Sequence, residues 1–346
     1  MRVVVTGASG NVGSTLVERL GDQPAVTSIV GICRRRHAWR PPRTEWHFLD
    51  IAEDDLGPAF SGADVVVHLA WLFQPSRHPA ETWRNNVHGT QRVLDAVAAA
   101  AVPHLVVASS VGCYSPRQVP TPVTESWPTA GSANAGYSRE KSTVERLLDR
   151  HEAEHPDRRV VRMRPVFIFQ RRSAGQQHRI FLGPWIPRVV FRSGLLPILP
   201  LPENLLLQAL HTDDVADAYV AAVLGDVSGA INLAAESLGP VDLAHLMGAR
   251  WIPTPDRALR FALAAAFQAH IVPTEPGLLD LALSVPLLDA GRARSELGWQ
   301  PRTTPAEAVT EFLDGASSGA GWPTPPLAPN RMWPATPVSR PLIWRK

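Results

Sequence analysis

The chain has 346 residues and a mass of 37.7 kDa; 45% of its residues are hydrophobic and 19% are charged. This composition excludes a disordered chain, and the length favours one large domain or two unequal ones. A formal net charge of only +2 gives no electrostatic basis for nucleic-acid binding, and two cysteines exclude a disulfide framework. We find no signal-peptide pattern, membrane span or zinc-type Cys/His spacing, which predicts a cytoplasmic protein without a metal site.

Short apolar runs alternate with helical patterns through the first half of the chain. The predicted strands cover residues 3–5, 26–32, 47–49, 65–67, 105–108 and 159–163. The predicted helices cover residues 14–20, 82–100 and 137–153. Because strands and helices alternate at this spacing, the sequence predicts an α/β fold with a Rossmann-type, doubly wound parallel sheet.

The alternation weakens after residue 165. A helical pattern at 211–224 and a strand at 230–233 return to the sheet, and further helices fit 255–269 and 305–313. We therefore predict a dinucleotide-binding Rossmann domain and a smaller, discontinuous substrate-binding domain, followed by a Pro-rich C-terminal tail. The Rossmann domain comprises residues 1–166 and 208–236, the substrate-binding domain residues 167–207 and 237–315, and the tail residues 316–346.

The tail differs from the body in composition. It holds seven prolines and no acidic residue, and its basic residues are Arg331, Arg340, Arg345 and Lys346. Such a segment is typically extended or disordered. Its three tryptophans, Trp322, Trp333 and Trp344, argue against disorder. We expect a tail that docks on the body or on a neighbouring subunit, with a floppy tail as the alternative.

A glycine-rich loop separates the first strand from the first helix. Its spacing, G-x-x-G-x-x-G, is set by Gly7, Gly10 and Gly13. Without Cβ atoms the backbone can turn sharply and approach a pyrophosphate, and the helix N-terminus adds N–H donors and a positive dipole. This context predicts dinucleotide binding by the three glycines with Asn11 and Val12; an ordinary βα turn is the alternative.

The end of the second predicted strand indicates which nicotinamide cofactor fits. An acidic residue there would bind the ribose 2′-OH of NAD, but the chain has three arginines, Arg34 to Arg36. Since guanidinium groups suit a 2′-phosphate, we predict NADP rather than NAD, bound by Arg34 and Arg35. Asp50 and Ile51, after the third strand, either flank the adenine or begin a helix.

A tyrosine and a lysine stand four residues apart in the helix predicted at 137–153. At this spacing Tyr137 and Lys141 share one helix face, where an ammonium group lowers the pKa of the phenol and prepares it for proton exchange with a carbonyl or alcohol. Ser110, at the end of the fifth strand, would hold the same oxygen. Tyrosine and lysine are scarce here, with only three and two residues, which favours function over a half-buried tyrosine beside a solvated lysine. A serine that only caps a turn is the alternative for Ser110.

Together these motifs resemble the extended short-chain dehydrogenases/reductases, also called the NAD-dependent epimerase/dehydratase family. The matching segments are 6–13, Asp50-Ile51, His68-Leu69-Ala70, 86–90, Ser109-Ser110 ahead of Tyr114, 137–141, Arg164-Pro165, 211–216 and 296–299. They span nearly the whole body and leave out the tail.

The resemblance implies a role for each catalytic residue. Tyr137 would be the general acid/base, Lys141 would bind the nicotinamide ribose, and Ser110 would hold the reacting oxygen. The further cofactor residues that it implies are Leu69, Ala70, Asn86, Pro165 and Val166. It also implies structural roles for His68, His211 and Asp213, and a homodimer.

The chain departs from the family members that act on nucleotide sugars. Those members typically carry an Asn where this chain has Phe167, a Tyr where it has Phe169, and a diphosphate-binding Arg where it has Leu207. Trp71 and the segment 180–186 add apolar character, although such side chains also pack as core. Four arginines, at 171, 172, 179 and 188, could bind an anion, so a nucleotide-sugar substrate is the alternative.

We therefore predict an NADP-dependent oxidoreductase for a mainly apolar small molecule, with Trp71, Phe167 and Phe169 as candidate substrate contacts. One alternative is a nucleotide-sugar epimerase or dehydratase with tightly bound NAD(P). The other is a non-catalytic NAD(P)-binding sensor or scaffold.

Overall fold

The computed structural model describes residues 1–74 and 76–329. The predictions for Trp333, Trp344 and the four basic residues of the tail lie outside the described residues.

Twelve strands form in the described part of the chain. In chain order they are β1 (Arg2–Thr6), β2 (Ser28–Ile32), β3 (Thr44–His47), β4 (Val65–His68), β5 (His104–Ala108), β6 (Arg159–Pro165), β7 (Phe167–Phe169), β8 (Ile198–Leu201), β9 (Leu207–His211), β10 (Gly229–Leu233), β11 (Ser237–Leu238) and β12 (Arg250–Pro253). Seven of them make one parallel sheet in the order β10-β6-β5-β4-β1-β2-β3. The predicted Rossmann-type sheet is thereby confirmed.

The helices fill the connections. They are α1 (Asn11–Gly21), α2 (Gly57–Phe60), α3 (Pro79–Trp83), α4 (Gly89–Ala99), α5 (Gly136–Glu154), α6 (Ala174–Gln177), α7 (Thr212–Leu224), α8 (Pro240–Leu246), α9 (Asp256–Gln268), α10 (Pro276–Ser284), α11 (Gly291–Leu297) and α12 (Pro305–Ser318). Short 3₁₀ segments lie at Val111–Cys113, Arg171–Ser173 and Arg188–Phe191, and π-helical turns at Arg84–His88 and His178–Leu182.

Alternating side chains of the sheet build a core on each of its faces. On β1, Val3 and Val5 pack in a cluster with residues of α1 and α7, while Val4 packs in a second cluster with residues of α4 and α5. All three valines are fully buried. Because both faces are covered, the strands read as continuous apolar runs rather than alternating ones.

The strand register aligns the carboxyl ends at one edge. Thr6 lies opposite Ile32 of β2 and His68 of β4, so the chain leaves all three strands at the same level. Ligands in such sheets bind beyond this edge.

Two small sheets, β11-β9-β7 and β12-β8, lie outside the central sheet. Helix α12 runs to Ser318, past the residue at which the sequence predicts the tail to begin. Among the described residues, none of the helices combines the length and apolarity that a bilayer crossing needs.

One predicted helix, 82–100, is interrupted. A π-helical turn at Arg84–His88 separates α3 from α4 and buries Asn85, Asn86 and Val87. A π turn is a single-turn irregularity inside an otherwise continuous helix, and the sequence pattern did not reveal it.

Candidate active site

The glycine loop leaves β1 at the carboxyl edge of the sheet and leads into α1. Gly7 has a φ of +70°, and a Cβ atom there would lie 2.7 Å from the backbone nitrogen of Ala70. A Cβ atom at Gly13 would lie 2.8 Å from Cα of Ala8. Only glycine therefore permits this close approach. The N-terminus of α1, whose first N–H groups have no partner within the helix, offers a cradle that fits a pyrophosphate.

This loop opens on a cavity of about 1800 Å³. The cavity brings together all of the predicted cofactor residues, which are Gly7, Gly10, Asn11, Val12, Gly13, Arg34, Arg35, Asp50, Ile51, Leu69, Ala70, Asn86, Pro165 and Val166. Ser110, Tyr137 and Lys141 line the same cavity, as do Trp71, Phe167 and Phe169.

The side chains of Asn11 and Asp50 line the cavity and also make hydrogen bonds within the protein. Oδ1 of Asn11 accepts from Nε2 of Gln170 at 2.6 Å and from Oγ1 of Thr212 at 3.2 Å. Oδ1 of Asp50 accepts from the backbone N–H of Ala52 at 2.9 Å. Asp50 therefore stabilises a turn rather than a helix start, since the next helix begins only at Gly57, and it also lines the cavity.

The arginines after β2 differ in their surroundings. The guanidinium of Arg36 lies 4.9 Å from the ring centre of Phe48, which occupies it in a cation–π contact. Nη1 of Arg34 lies 3.9 Å from a carboxylate oxygen of Asp50. Arg34 and Arg35 line the cavity, so these two remain the candidates for a phosphate.

The side chains of Ser110, Tyr137 and Lys141 meet on one wall. Nζ of Lys141 donates to the carbonyl oxygen of Ala108 at 2.7 Å. Oγ of Ser110 accepts from the N–H of Gly112 at 3.0 Å, and the same hydroxyl acts to lower the pKa of the Tyr137 phenol. Strand β5 therefore positions both the serine and the acceptor that fixes the lysine.

The pKa of the Tyr137 phenol is shifted in the direction opposite to the predicted one. Burial raises the pKa of Tyr137 above its usual range, and the neighbouring Ser110 hydroxyl offsets only part of this rise. Burial lowers the pKa of Lys141 to about 7. The predicted lowering of the tyrosine pKa is wrong for this structure, because the lysine is itself desolvated and lies 6.0 Å from the tyrosine ring centre.

Aromatic side chains surround Tyr137 and Lys141. Nζ of Lys141 lies 3.5 Å from the ring centre of Trp71, whose indole also packs edge-on against Tyr137 at 5.7 Å. Phe73 stacks on Tyr137 at 5.1 Å and contacts Phe181 at 6.0 Å. Nε1 of Trp71 is buried and has no hydrogen-bond partner among the described residues, which leaves a donor for a ligand.

Sequence reasoning missed a carboxylate beside the pair. Glu140 is buried, and its two oxygens accept from Oγ1 of Thr82 at 2.6 Å and from Nδ2 of Asn86 at 2.7 Å. Asn86 in turn accepts from the N–H of Leu72 at 2.7 Å. This chain of bonds holds the loop that carries Trp71. The available sequence signal was the position of Glu140 between Tyr137 and Lys141.

A second buried network supports the strand ends beside the site. Arg164 donates to both oxygens of Glu145, at 3.0 Å and 2.7 Å, and to the hydroxyl of Tyr114 at 2.9 Å. Ser109 donates to the same carboxylate at 2.5 Å. Although burial alone would raise it, the pKa of Glu145 is lowered to about 2, chiefly by Arg164.

The histidines that the resemblance assigned to structure make internal contacts. His68 is held between the hydroxyls of Thr6, at 2.7 Å, and Thr90, at 2.9 Å. Burial, with the nearby charge of Lys141, lowers its pKa to about 3. Nε2 of His211 lies 3.2 Å from Glu311.

The far side of the cavity is mostly apolar. Leu207 and Phe167 line it, and Phe169 packs against Phe312 of α12 at 5.1 Å. Further apolar lining residues are Ile180, Phe181, Pro184, Ile186, Leu263, Leu278, Leu279, Leu281 and Val285. Of the four arginines that could bind an anionic substrate, Arg179 and Arg188 line the cavity, whereas Arg172 pairs with Glu18 at 2.7 Å.

The chain is similar to several curated proteins. It is 29% identical over 317 residues to an uncharacterized protein of Mycobacterium tuberculosis, covering 90% of this chain but only 30% of that protein. It is 31% identical over 249 residues to a UDP-glucose 4-epimerase of Yersinia pestis, covering 64% of this chain and 73% of the epimerase. A 3-diazoavenalumate denitrifying reductase of a Streptomyces species is 27% identical over 329 residues, covering 87% and 96%.

Solved structures share the fold. The UDP-glucose 4-epimerase of Thermus thermophilus, in complex with NAD, has a TM-score of 0.67 at 20% identity, and the match covers 91% of this chain and 99% of that one. The sequence model for the NAD dependent epimerase/dehydratase family matches residues 3–234, which include the glycine loop, Ser110, Tyr137 and Lys141. As its motifs predicted, the chain belongs to the NAD-dependent epimerase/dehydratase family.

Proposed function

We propose that the protein is an NADP-dependent oxidoreductase that moves a hydride to or from a carbonyl or alcohol carbon of a mainly apolar small molecule. The observation that carries this proposal is the position of Ser110, Tyr137 and Lys141 on one wall of a cavity whose substrate half is apolar. The glycine cradle and the helix N-terminus fit a dinucleotide at its other end.

Tyr137 exchanges the proton. Because burial raises its pKa, the phenol is protonated at neutral pH and is prepared to donate to a carbonyl oxygen. A nicotinamide dinucleotide, when bound, supplies or accepts the hydride at the carbon. In reduction the substrate oxygen gains the phenolic proton and becomes an alcohol, and solvent reprotonates Tyr137. Ser110 holds the same oxygen by hydrogen bond and positions it for this transfer.

Lys141 serves both the cofactor and the phenol. Its Nζ is fixed by the Ala108 carbonyl and the Trp71 ring, at a depth where water is scarce. Hydroxyl groups of a bound ribose would add acceptors for the remaining ammonium hydrogens. Such acceptors favour the charged form of the lysine, and a charged Lys141 favours phenolate when the reaction runs as an oxidation.

The preference for NADP rests on positive charge at the cavity mouth. Arg34 and Arg35 line the cavity after β2, where a carboxylate would favour NAD. Burial, followed by the charges of Arg35 and Arg188, lowers the pKa of Arg179. Guanidinium groups bind phosphate through paired, charge-assisted hydrogen bonds, and NADP would place its 2′-phosphate beside Arg34 and Arg35.

A second candidate is a nucleotide-sugar epimerase with tightly held cofactor. It is favoured by the similarity to proteins named UDP-glucose 4-epimerase. Leu207 and Phe167 weigh against it, because neither side chain can hydrogen-bond a diphosphate or a sugar. A non-catalytic sensor is disfavoured by the assembled Ser110, Tyr137 and Lys141.

The decisive experiment is to purify the protein, identify any retained dinucleotide by mass spectrometry, and offer NADPH or NADH with a panel of aromatic and aliphatic aldehydes and ketones. The proposal expects exchangeable cofactor and net NADPH oxidation with at least one carbonyl compound. Retained cofactor with UDP-hexose interconversion and no net oxidation favours the epimerase. Binding of neither cofactor overturns both candidates.

A further inference from the structure

The chain does not end its contact with the body at α12. Gly319, with a φ of +67°, turns it back after Ser318, and residues 319–329 then lie against the body. We call these eleven residues the C-terminal strap. Within it, Leu327 is fully buried and Thr324 is 1% exposed. The strap lies outside the region that the family's sequence model matches.

The first anchor of the strap is the glycine loop itself. The hydroxyl of Thr324 donates to the carbonyl oxygen of Ser9 at 2.8 Å, and this hydrogen bond is buried. Ser9 stands between Gly7 and Gly10. A segment more than 300 positions away in sequence thus contacts the loop that forms the pyrophosphate cradle.

The second anchor is Trp322. The guanidinium of Arg172 lies 3.7 Å from its ring centre, and the same guanidinium pairs with Glu18 of α1 at 2.7 Å. On the other side Trp322 meets Trp39 at 6.5 Å, on the loop that begins with Arg34 and Arg35. This tryptophan therefore joins the strap to both elements that flank the cofactor half of the cavity.

The third anchor reaches the opposite wall. Arg179, in the π-helical turn at His178–Leu182, donates to the carbonyl oxygens of Pro326 at 2.7 Å and Ala328 at 3.0 Å. Between its anchors, the strap presents Pro325, Pro326, Ala328 and Pro329 to the cavity that the glycine loop also lines.

From these contacts we infer that the C-terminal strap is part of the dinucleotide-binding site, where it forms an outer wall over the glycine loop and slows cofactor release. A wall anchored on both sides of the cavity has to loosen before a dinucleotide beneath it can leave. Prolines reduce the freedom of the strap before binding, so holding it closed loses little entropy. The inference rests on the proposed function only in requiring that a nicotinamide dinucleotide binds.

The test is the NADPH dissociation rate of the full chain, measured by stopped-flow fluorescence after mixing the complex with excess NADP. Thr324→Val removes the donor to Ser9 at nearly constant volume, and we expect release about fivefold faster, as for one lost hydrogen bond. Trp322→Ala removes two anchoring contacts and should speed release by at least about tenfold. Thr324→Ser keeps the hydroxyl and should release cofactor at the wild-type rate.

Thr310→Val is the matched control, since it makes the same chemical change at an exposed position of α12. It should leave the rate unchanged. Circular dichroism of each cofactor-free variant verifies that it is folded at the assay temperature. Wild-type release rates in folded Thr324→Val and Trp322→Ala overturn the inference, as does equal acceleration by Thr324→Ser or Thr310→Val. A wild-type chain that binds no dinucleotide overturns the proposed function and the inference together.

Discussion

Gly112 determines how closely the Tyr137 ring approaches Ser110, and its replacement provides a sharp test of the site geometry. A Cβ atom at Gly112 would lie 2.7 Å from Cε1 and 3.1 Å from Cδ1 of Tyr137. Carbon atoms pack at about 3.5–4.0 Å, so the ring must move by about 1 Å to admit an alanine. Since a misplacement of about 1 Å costs about a hundredfold in rate, we expect Gly112→Ala to lower kcat by that factor.

The assay is steady-state oxidation of NADPH with the carbonyl compound that the substrate panel identifies, together with NADPH binding by fluorescence. The Kd for NADPH should stay at the wild-type value, because Gly112 faces the phenol rather than the glycine loop. Gly21→Ala is the control, since its Cβ atom would lie 3.6 Å from the nearest atom, the Pro42 carbonyl oxygen, which is an ordinary contact. A folded Gly112→Ala protein with kcat within about twofold of wild type would refute the reasoning.

Three further predictions concern charge. Lys141→Met should abolish turnover yet raise the free energy of unfolding at pH 6. Because the lysine pKa falls from 10.5 in the unfolded chain to about 7 in the folded one, the free energy of unfolding of the wild type rises between these two pH values, whereas that of the variant does not rise with it. Chemical denaturation at pH 6 and pH 10 should therefore show a smaller stability difference between the two proteins at pH 10. Glu145→Gln should cost about 3–5 kcal/mol, because it leaves the guanidinium of Arg164 buried without its charge partner; urea denaturation measures this, and a loss under about 1 kcal/mol contradicts it. Arg35→Ala should raise KM for NADP by about ten- to a hundredfold and leave KM for NAD unchanged. Arg36→Ala is the control and should change neither KM, because the Arg36 guanidinium packs on Phe48. Equal effects of Arg35→Ala on both cofactors would contradict the phosphate assignment.

Local sequence signals predicted the elements that form the candidate site. The spacing of Gly7, Gly10 and Gly13 is typical of a loop whose backbone comes close to a ligand or to another chain segment. The spacing of Tyr137 and Lys141 places both side chains on one helix face. The structure brings these groups to one cavity because the parallel strands that precede them end at one edge.

The remaining features depend on contacts between distant segments. The desolvation that controls Lys141 comes partly from the Trp71 ring, 70 positions earlier in the chain, and no local pattern indicates that contact. The bond from Thr324 to Ser9 joins the two ends of the described chain. The composition of the tail indicated docking, but its partner surface is defined only by the folded cavity.

The central claim is that Tyr137 exchanges the proton in a net NADP-dependent redox reaction. The most direct measurement compares wild type with Tyr137→Phe, using NADPH affinity by fluorescence and single-turnover NADPH oxidation with the identified carbonyl compound. We predict an unchanged Kd for NADPH and a rate of oxidation lowered by at least about a hundredfold, since only the transferable proton is removed. A Tyr137→Phe protein that binds NADPH normally and oxidises it at the wild-type rate would contradict the account.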